Sequence, residues 1–173
     1  MPVVIENIEK PSQLFTVIAE ALRIAIPGLR VGSLQDFDST GDPAWVLIAL
    51  ERNALGERAN DGRIAHVLTV SLQAVLPTSS LEACDLGSAL KNLITDNRWN
   101  LPRDQCDLPM NIDGVASTFI SGTRQYNAWT VSFTQALYLG PLLLDDPLGT
   151  PKFARTWEVS DIDDPDQYTA LEE

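Results

Sequence analysis

The chain has 173 residues, 45% hydrophobic and 21% charged, an ordinary globular balance with length for one domain and a real core. Its 24 acidic and 12 basic residues leave a formal net charge of −12, which argues against a surface that grips nucleic acid, since that needs a basic patch. No apolar run approaches the ~20 residues of a membrane helix, and MPVVIENIEK has neither the basic start nor the long apolar run of a signal peptide.

Val3-Val4-Ile5 is a short β-like run, an arm or an edge strand. Pro11-Ser12 opens a helix, with proline tolerated in the first turn. Leu14, Ile18, Leu22 and Ala25 follow one face, Phe15, Ala21 and Ile26 widen it, and Pro27-Gly28 stops it. Leu29 to Gln35 reads as a short strand, and Asp36 to Pro43 as a loop. Ala44 to Leu50, AWVLIAL, is apolar on both faces and predicts a strand covered on both sides. Glu51 to Gly62, ERNALGERANDG, is polar with two glycines and predicts a long hairpin loop, well beyond the usual ~2–5 residues.

Arg63 to Pro77 is the stretch the rest is organised around. Ile64, His66, Leu68, Val70, Leu72, Ala74 and Leu76 line one face, and the other is mixed, the period of two that a strand requires. Its length predicts that it projects past its sheet. Ser79 and Glu82 have capping-box spacing ahead of a helix over Leu81–Asn97, with Leu86, Leu90, Leu93 and Ile94 as its buried stripe. Gly87 weakens that helix by roughly 1 kcal/mol against alanine and suits close packing on the sheet. Trp99 to Asn111 is irregular. Val115–Ser121 and Tyr126–Leu139 alternate as strands and form a hairpin across Gly122-Thr123-Arg124-Gln125.

After Gly140-Pro141 the character changes. From Pro141 onward nine acidic residues face only Lys152 and Arg155, so seven of the twelve net negative charges gather there. Thr156–Val159 suits a short strand, and the rest reads as an extended arm. The expected architecture is an α+β domain over residues 1–140, two helices on a mainly antiparallel sheet of four to six strands, followed by an acidic C-terminal extension over 141–173.

The chemistry is sparse. His66 is the only histidine and reads as a core or boundary residue before a general base. Cys84 and Cys106 are not spaced as zinc ligands or as a CxxC pair, and they read as reduced thiols of a cytosolic product. Asp161-Ile162-Asp163-Asp164 starts like a calcium loop but has no glycine or closing glutamate in register. Asp36, Asp38 and Asp42 read as turn aspartates before cation ligands. There is no P-loop, GxGxxG or GxSxG. No catalytic residue, cofactor or metal is expected. What remains is contact chemistry. Arg52, Leu55, Arg58 and Arg63 lie in or beside the expected hairpin loop, and Trp157, Asp161, Asp163, Asp164 and Tyr168 lie in the acidic extension. A basic loop and an acidic arm on one chain suit a head-to-tail ring in which each subunit supplies both signs.

The order of elements resembles the tail terminator proteins of long-tailed bacteriophages. The likeness rests on the opening helix ending at Pro27-Gly28, the strands Ala44–Leu50 and Arg63–Pro77 flanking an extended loop, the Leu81–Asn97 helix, and the strand pair ending in WTVSFTQALYLG. It covers most of residues 11–140 as a pattern, without a signature motif. It implies a virion structural protein assembled in the host cytoplasm: a homohexameric ring that caps the tail tube, meets the tube protein below and the head–tail connector or stopper above, and lets DNA pass through its lumen without specific binding. The long acidic extension departs from the smallest members and suits an arm onto a neighbour, a sheath protein or the connector. The alternatives are another neck or tail component, or a small-molecule-binding α+β domain using His66 and nearby aspartates.

Overall fold

Apolar spacing decides the first helix. In a computed structural model that describes residues 8–77, 80–143, 152–153 and 169–170, helix α1 runs Ser12–Ala25. Leu14, Ile18 and Leu22 fall one turn apart and are fully buried, with Val17 and Ala19 beside them, whereas Ala25 at the end of the stripe is exposed. Each such leucine or isoleucine contributes about 1.5–3 kcal/mol by leaving water. The Gln13 side chain accepts from the backbone N–H groups of Glu9 (2.7 Å) and Lys10 (2.9 Å), which fixes the entry into the helix.

The strands follow as β1 (Arg30–Gly32), β2 (Trp45–Arg58), β3 (Ile64–Leu76), β4 (Met110–Ser121) and β5 (Arg124–Tyr138), with helix α2 (Ser80–Ile94) between β3 and β4. They form one sheet in the order β1-β2-β3-β5-β4, with β1 parallel to β2 and every other pair antiparallel. The fold is α+β, two helices and a five-stranded, mostly antiparallel sheet. β3 is the middle strand. Its even-numbered residues Leu68, Val70, Leu72 and Ala74 join Val131, Phe133 and Leu137 of β5 in the main core under the helices.

The opposite face of the sheet has a smaller cluster at one end. A 3-10 turn, Leu34–Asp36, is held by the Asp36 carboxylate, which accepts from the Ser33 N–H and hydroxyl at 2.7 Å each. The turn sets Phe37 against Trp45, Phe119 and Tyr126, with ring centroids 4.6–5.6 Å apart. Hence Trp45 to Ile48 are buried on both faces, as the apolar run AWVLIAL predicts.

Several expectations are corrected. The strand expected over Leu29–Gln35 is only three residues long, because the 3-10 turn takes over at Leu34. Most of the expected loop Glu51–Gly62 is strand: β2 continues to Arg58 and pairs with β3 as far as Arg58↔Ile64, leaving a short turn closed by Ala59 N–H to Arg63 O at 2.8 Å. β3 does not project, since β5 accompanies it from Asn127 opposite Leu76 to Tyr138 opposite Ala65. β4 begins at Met110, five residues before Val115, and carries a register shift between Met110 and Asp113. Helix α2 ends at Ile94 and buries Ala83, Gly87, Leu90 and Ile94, with Leu86 and Leu93 half-buried on the flank. The β4–β5 turn is two residues, Gly122-Thr123, with Gly122 at φ 61°, the positive angle such a tight hairpin needs at its first position.

The chain divides into two compact units, Met1–Leu143 and Leu144–Glu173. In the second, β6 (Lys152–Phe153) pairs antiparallel with β7 (Thr169–Ala170). The expected runs Val3–Ile5 and Thr156–Val159, and the expected cap Ser79, lie outside the described residues. Among the described residues no helix is long and apolar enough to cross a membrane.

Candidate functional site

The outer half of the β2–β3 hairpin carries the basic residues singled out in the sequence. β1 covers only Trp45–Leu47 of β2, so beyond that point, among the described residues, β2 has a strand partner on one side only. Register shifts occur between Leu50 and Arg52 and between Leu55 and Arg58. Because side chains alternate, each shift changes which residues share a face. Arg52 stands opposite Thr69, on the face away from the helices. Leu55 stands opposite His66, and Arg58 opposite Ile64, on the helix face. The structure therefore brings Leu55 and Arg58 together and places Arg52 on the other side.

Leu55 is 77% exposed, the highest value of any large apolar side chain among the described residues, and Ile64 is also exposed. The Arg58 Nη1 donates to the Gly62 carbonyl at 2.7 Å and so braces the turn.

Arg63 is no free loop charge. It is 5% exposed. Its Nε and Nη2 donate to one Asp61 carboxylate oxygen at 2.9 and 2.6 Å, Nη2 also to the Asp104 carbonyl at 2.8 Å, and Nη1 to the Tyr138 carbonyl at 3.2 Å. The guanidinium thus ties the hairpin turn to the end of β5 and to the 97–107 segment. The hydrogen bonds from Arg63 hold the Asp61 carboxyl below its ordinary range. Leu143 N–H donates to the Asp61 carbonyl at 3.0 Å, so the residues just after β5 are tied to the same turn. The expectation that Arg63 reaches a neighbour's acids is corrected: burial and four hydrogen bonds to three internal acceptors commit it to its own chain. Trp157, Asp161, Asp163, Asp164 and Tyr168 lie outside the described residues.

Two buried amides escaped the sequence reading. Gln135 interrupts the apolar face of β5 and is 1% exposed. Its Oε1 accepts from Trp99 Nε1 at 2.6 Å, and its Nε2 donates to the carbonyls of Asp107 (2.9 Å) and Asn97 (3.1 Å) and to Cys106 Sγ (3.1 Å). Gln105 exchanges two 2.8 Å hydrogen bonds with the backbone of Ile8, fastening the start of the chain to this end of the sheet. The signal for Gln135 was an amide interrupting the alternating apolar face of β5, whereas Gln105 lies in the irregular Trp99–Asn111 stretch, where no period marks it. Burial first, then the nearby Asp107 charge, pushes the Cys106 thiol up to about 12, so it stays protonated. Burial, with a hydrogen bond from its hydroxyl to Asp107, also raises Tyr138.

The turn aspartates have local work. Asp38 accepts from the Thr40 N–H (2.9 Å) and hydroxyl (2.7 Å), and Asp42 pairs with Arg124 at 2.7 Å. Two open clefts, of about 560 and 550 Å³, sit beside Arg63–Asp104 and over Ala49, Ser71 and Gln73, and His66 lines neither. His66 is half-buried between Leu55 and Leu137. Among the described residues no three His, Cys, Asp or Glu side chains group as metal ligands. Compared with known proteins, the chain matches no family model and no curated sequence.

Proposed function

We propose that this chain is a structural virion protein, a tail terminator that forms a homohexameric ring on the end of a phage tail tube and joins it to the head-side connector. The observation that carries this reading is the outer β2–β3 hairpin: a rigid, bulged strand segment that presents Leu55 and Arg58 side by side, with Leu55 77% exposed. An exposed leucine beside an arginine on a braced element is contact chemistry, an apolar anchor with a charged rim. In a head-to-tail ring that patch meets the acidic surface of the next subunit, and the chain's net charge of −12 supplies such surface while keeping a lumen slippery to DNA phosphates.

Ring formation on tail tubes tests the reading. Wild-type protein added to polymerising tube protein caps the tubes at a fixed length, whereas Leu55→Asp leaves the domain folded and the tubes uncapped. Capping by Leu55→Asp at the wild-type level removes the hairpin from the interface. Tubes that ignore the wild-type protein remove the terminator reading itself.

A further inference from the structure

The two edges of the sheet are finished in opposite ways. On the β1–β2 side, three residues of β1 cover the start of β2. Beyond them β2 carries two register shifts and four charges, Glu51, Arg52, Glu57 and Arg58. Bulges and charges are the devices that keep a strand edge from pairing with another chain. The β4 side has none of them after Asp113. From Asp113 to Ser121 β4 runs in unbroken register with β5, and among the described residues no strand pairs with its outer side. Gly114 to Ser121, GVASTFIS, has no charge and no proline, and it is rich in residues that favour strands. Val115 is 54% and Ile120 67% exposed, and Ala116 and Thr118 are exposed as well.

We infer that β4 pairs edge to edge with β4 of a second copy of this chain, antiparallel and about a two-fold axis, so that the two sheets run on as one. A smooth edge of this kind needs an uncharged β-forming strand with a free side. Among the described residues the chain offers one of useful length, β4 itself. Charge decides further. Two chains of net charge −12 repel in most orientations, yet the seam from Gly114 to Ser121 carries no charge in any register. An axis centred on Ser117 sets Val115 opposite Phe119 of the second copy, a β-branched–aromatic pair of the kind that stabilises antiparallel ladders. It leaves Asp113 opposite Ser121, not opposite another acid. The pairing uses up both β4 edges, and the bulged β2 edge stops further growth, so the product closes at two copies along this seam instead of extending into a fibre. The seam lies on the far side of the sheet from the β2–β3 hairpin, so it does not rest on the ring.

Hydrogen exchange of the full chain at low and high protein concentration tests the seam. Peptides covering Gly114–Ser121 should exchange roughly tenfold or more slowly at high concentration. The double substitution Val115→Lys with Thr118→Lys, at two exposed positions, should abolish that dependence while far-UV circular dichroism stays that of the wild type. Leu55→Lys, aimed at the ring, should leave it intact. Exchange at β4 that ignores concentration overturns the seam, as it does if the edge is occupied by another part of the same chain. Protection that survives both lysines also overturns it. The concentration dependence of the wild-type chain decides by itself should the lysines disturb the fold.

Discussion

Gly87→Ala pits helix propensity against packing, and the geometry decides the sign. On propensity alone alanine in mid-helix gains about 1 kcal/mol over glycine. A Cβ at Gly87 would lie 2.3 Å from Trp129 Cδ1 and 2.8 Å from Trp129 Cγ, closer than atoms approach without something moving. The indole has little freedom to yield. On its other side a Cβ at Gly114 would lie 3.0 Å from Trp129 Nε1, so the ring is seated between a glycine of α2 and a glycine of β4. Forcing extra volume into such a contact costs about 1–3 kcal/mol. Moving α2 outward would loosen Leu90 and Ile94, both fully buried. The net expectation is destabilisation by up to about 2 kcal/mol, read as a lower urea midpoint at unchanged slope. Trp129→Phe should relieve most of the added cost, so the double variant Gly87→Ala/Trp129→Phe is more stable than the sum of the singles. A more stable Gly87→Ala protein, or strict additivity in the cycle, would refute the wedge.

Three further outcomes follow from the same structure. Gln135→Leu keeps the volume but strands the Trp99 indole N–H and the carbonyls of Asn97 and Asp107; at about 1–3 kcal/mol for each unsatisfied buried group the loss should reach about 3 kcal/mol or more, read as a lower urea midpoint. The Asp61 carboxyl is held down by hydrogen bonds from Arg63, so its contribution is present above the ordinary carboxylate range near ~4 and is lost as pH falls through its lowered value; thermal melts of wild type and Asp61→Asn should differ at neutral pH and converge in acid, and a gap that widens in acid would reverse the assignment. Leu55→Asp should leave the thermal midpoint within experimental scatter, since the side chain is 77% exposed, while changing the mass of the assembled species by light scattering.

What was readable in the sequence had a partner surface that imposed a period. Helix α1 and strands β3 and β5 each bury one face, so Leu14-Ile18-Leu22, Leu68-Val70-Leu72 and Val131-Phe133-Leu137 stand out. The outer half of β2 has no such constraint. Glu51 to Arg58 is exposed or half-buried throughout and is strand only because β3 pairs with it, so its composition reads as loop. The two bulges also erase what alternation it has. The start of β4 is hidden for the same reason, with Asn111 at φ 54° inside the irregular register. Arg63 reads as solvated charge because its acceptors, the carbonyls of Asp104 and Tyr138, lie about 40 and 75 residues away in sequence. Within the candidate surface, the residue types were legible, but which of them share a face was not, because a register shift has no composition.

That this chain works by fitting against copies of itself and a tube is tested most directly by imaging the purified protein, alone and mixed with tail tubes, by negative-stain electron microscopy. Six-fold rings with a central hole, seated on tube ends, are the expected result. Tubes that stay bare and continue to lengthen in its presence would contradict it.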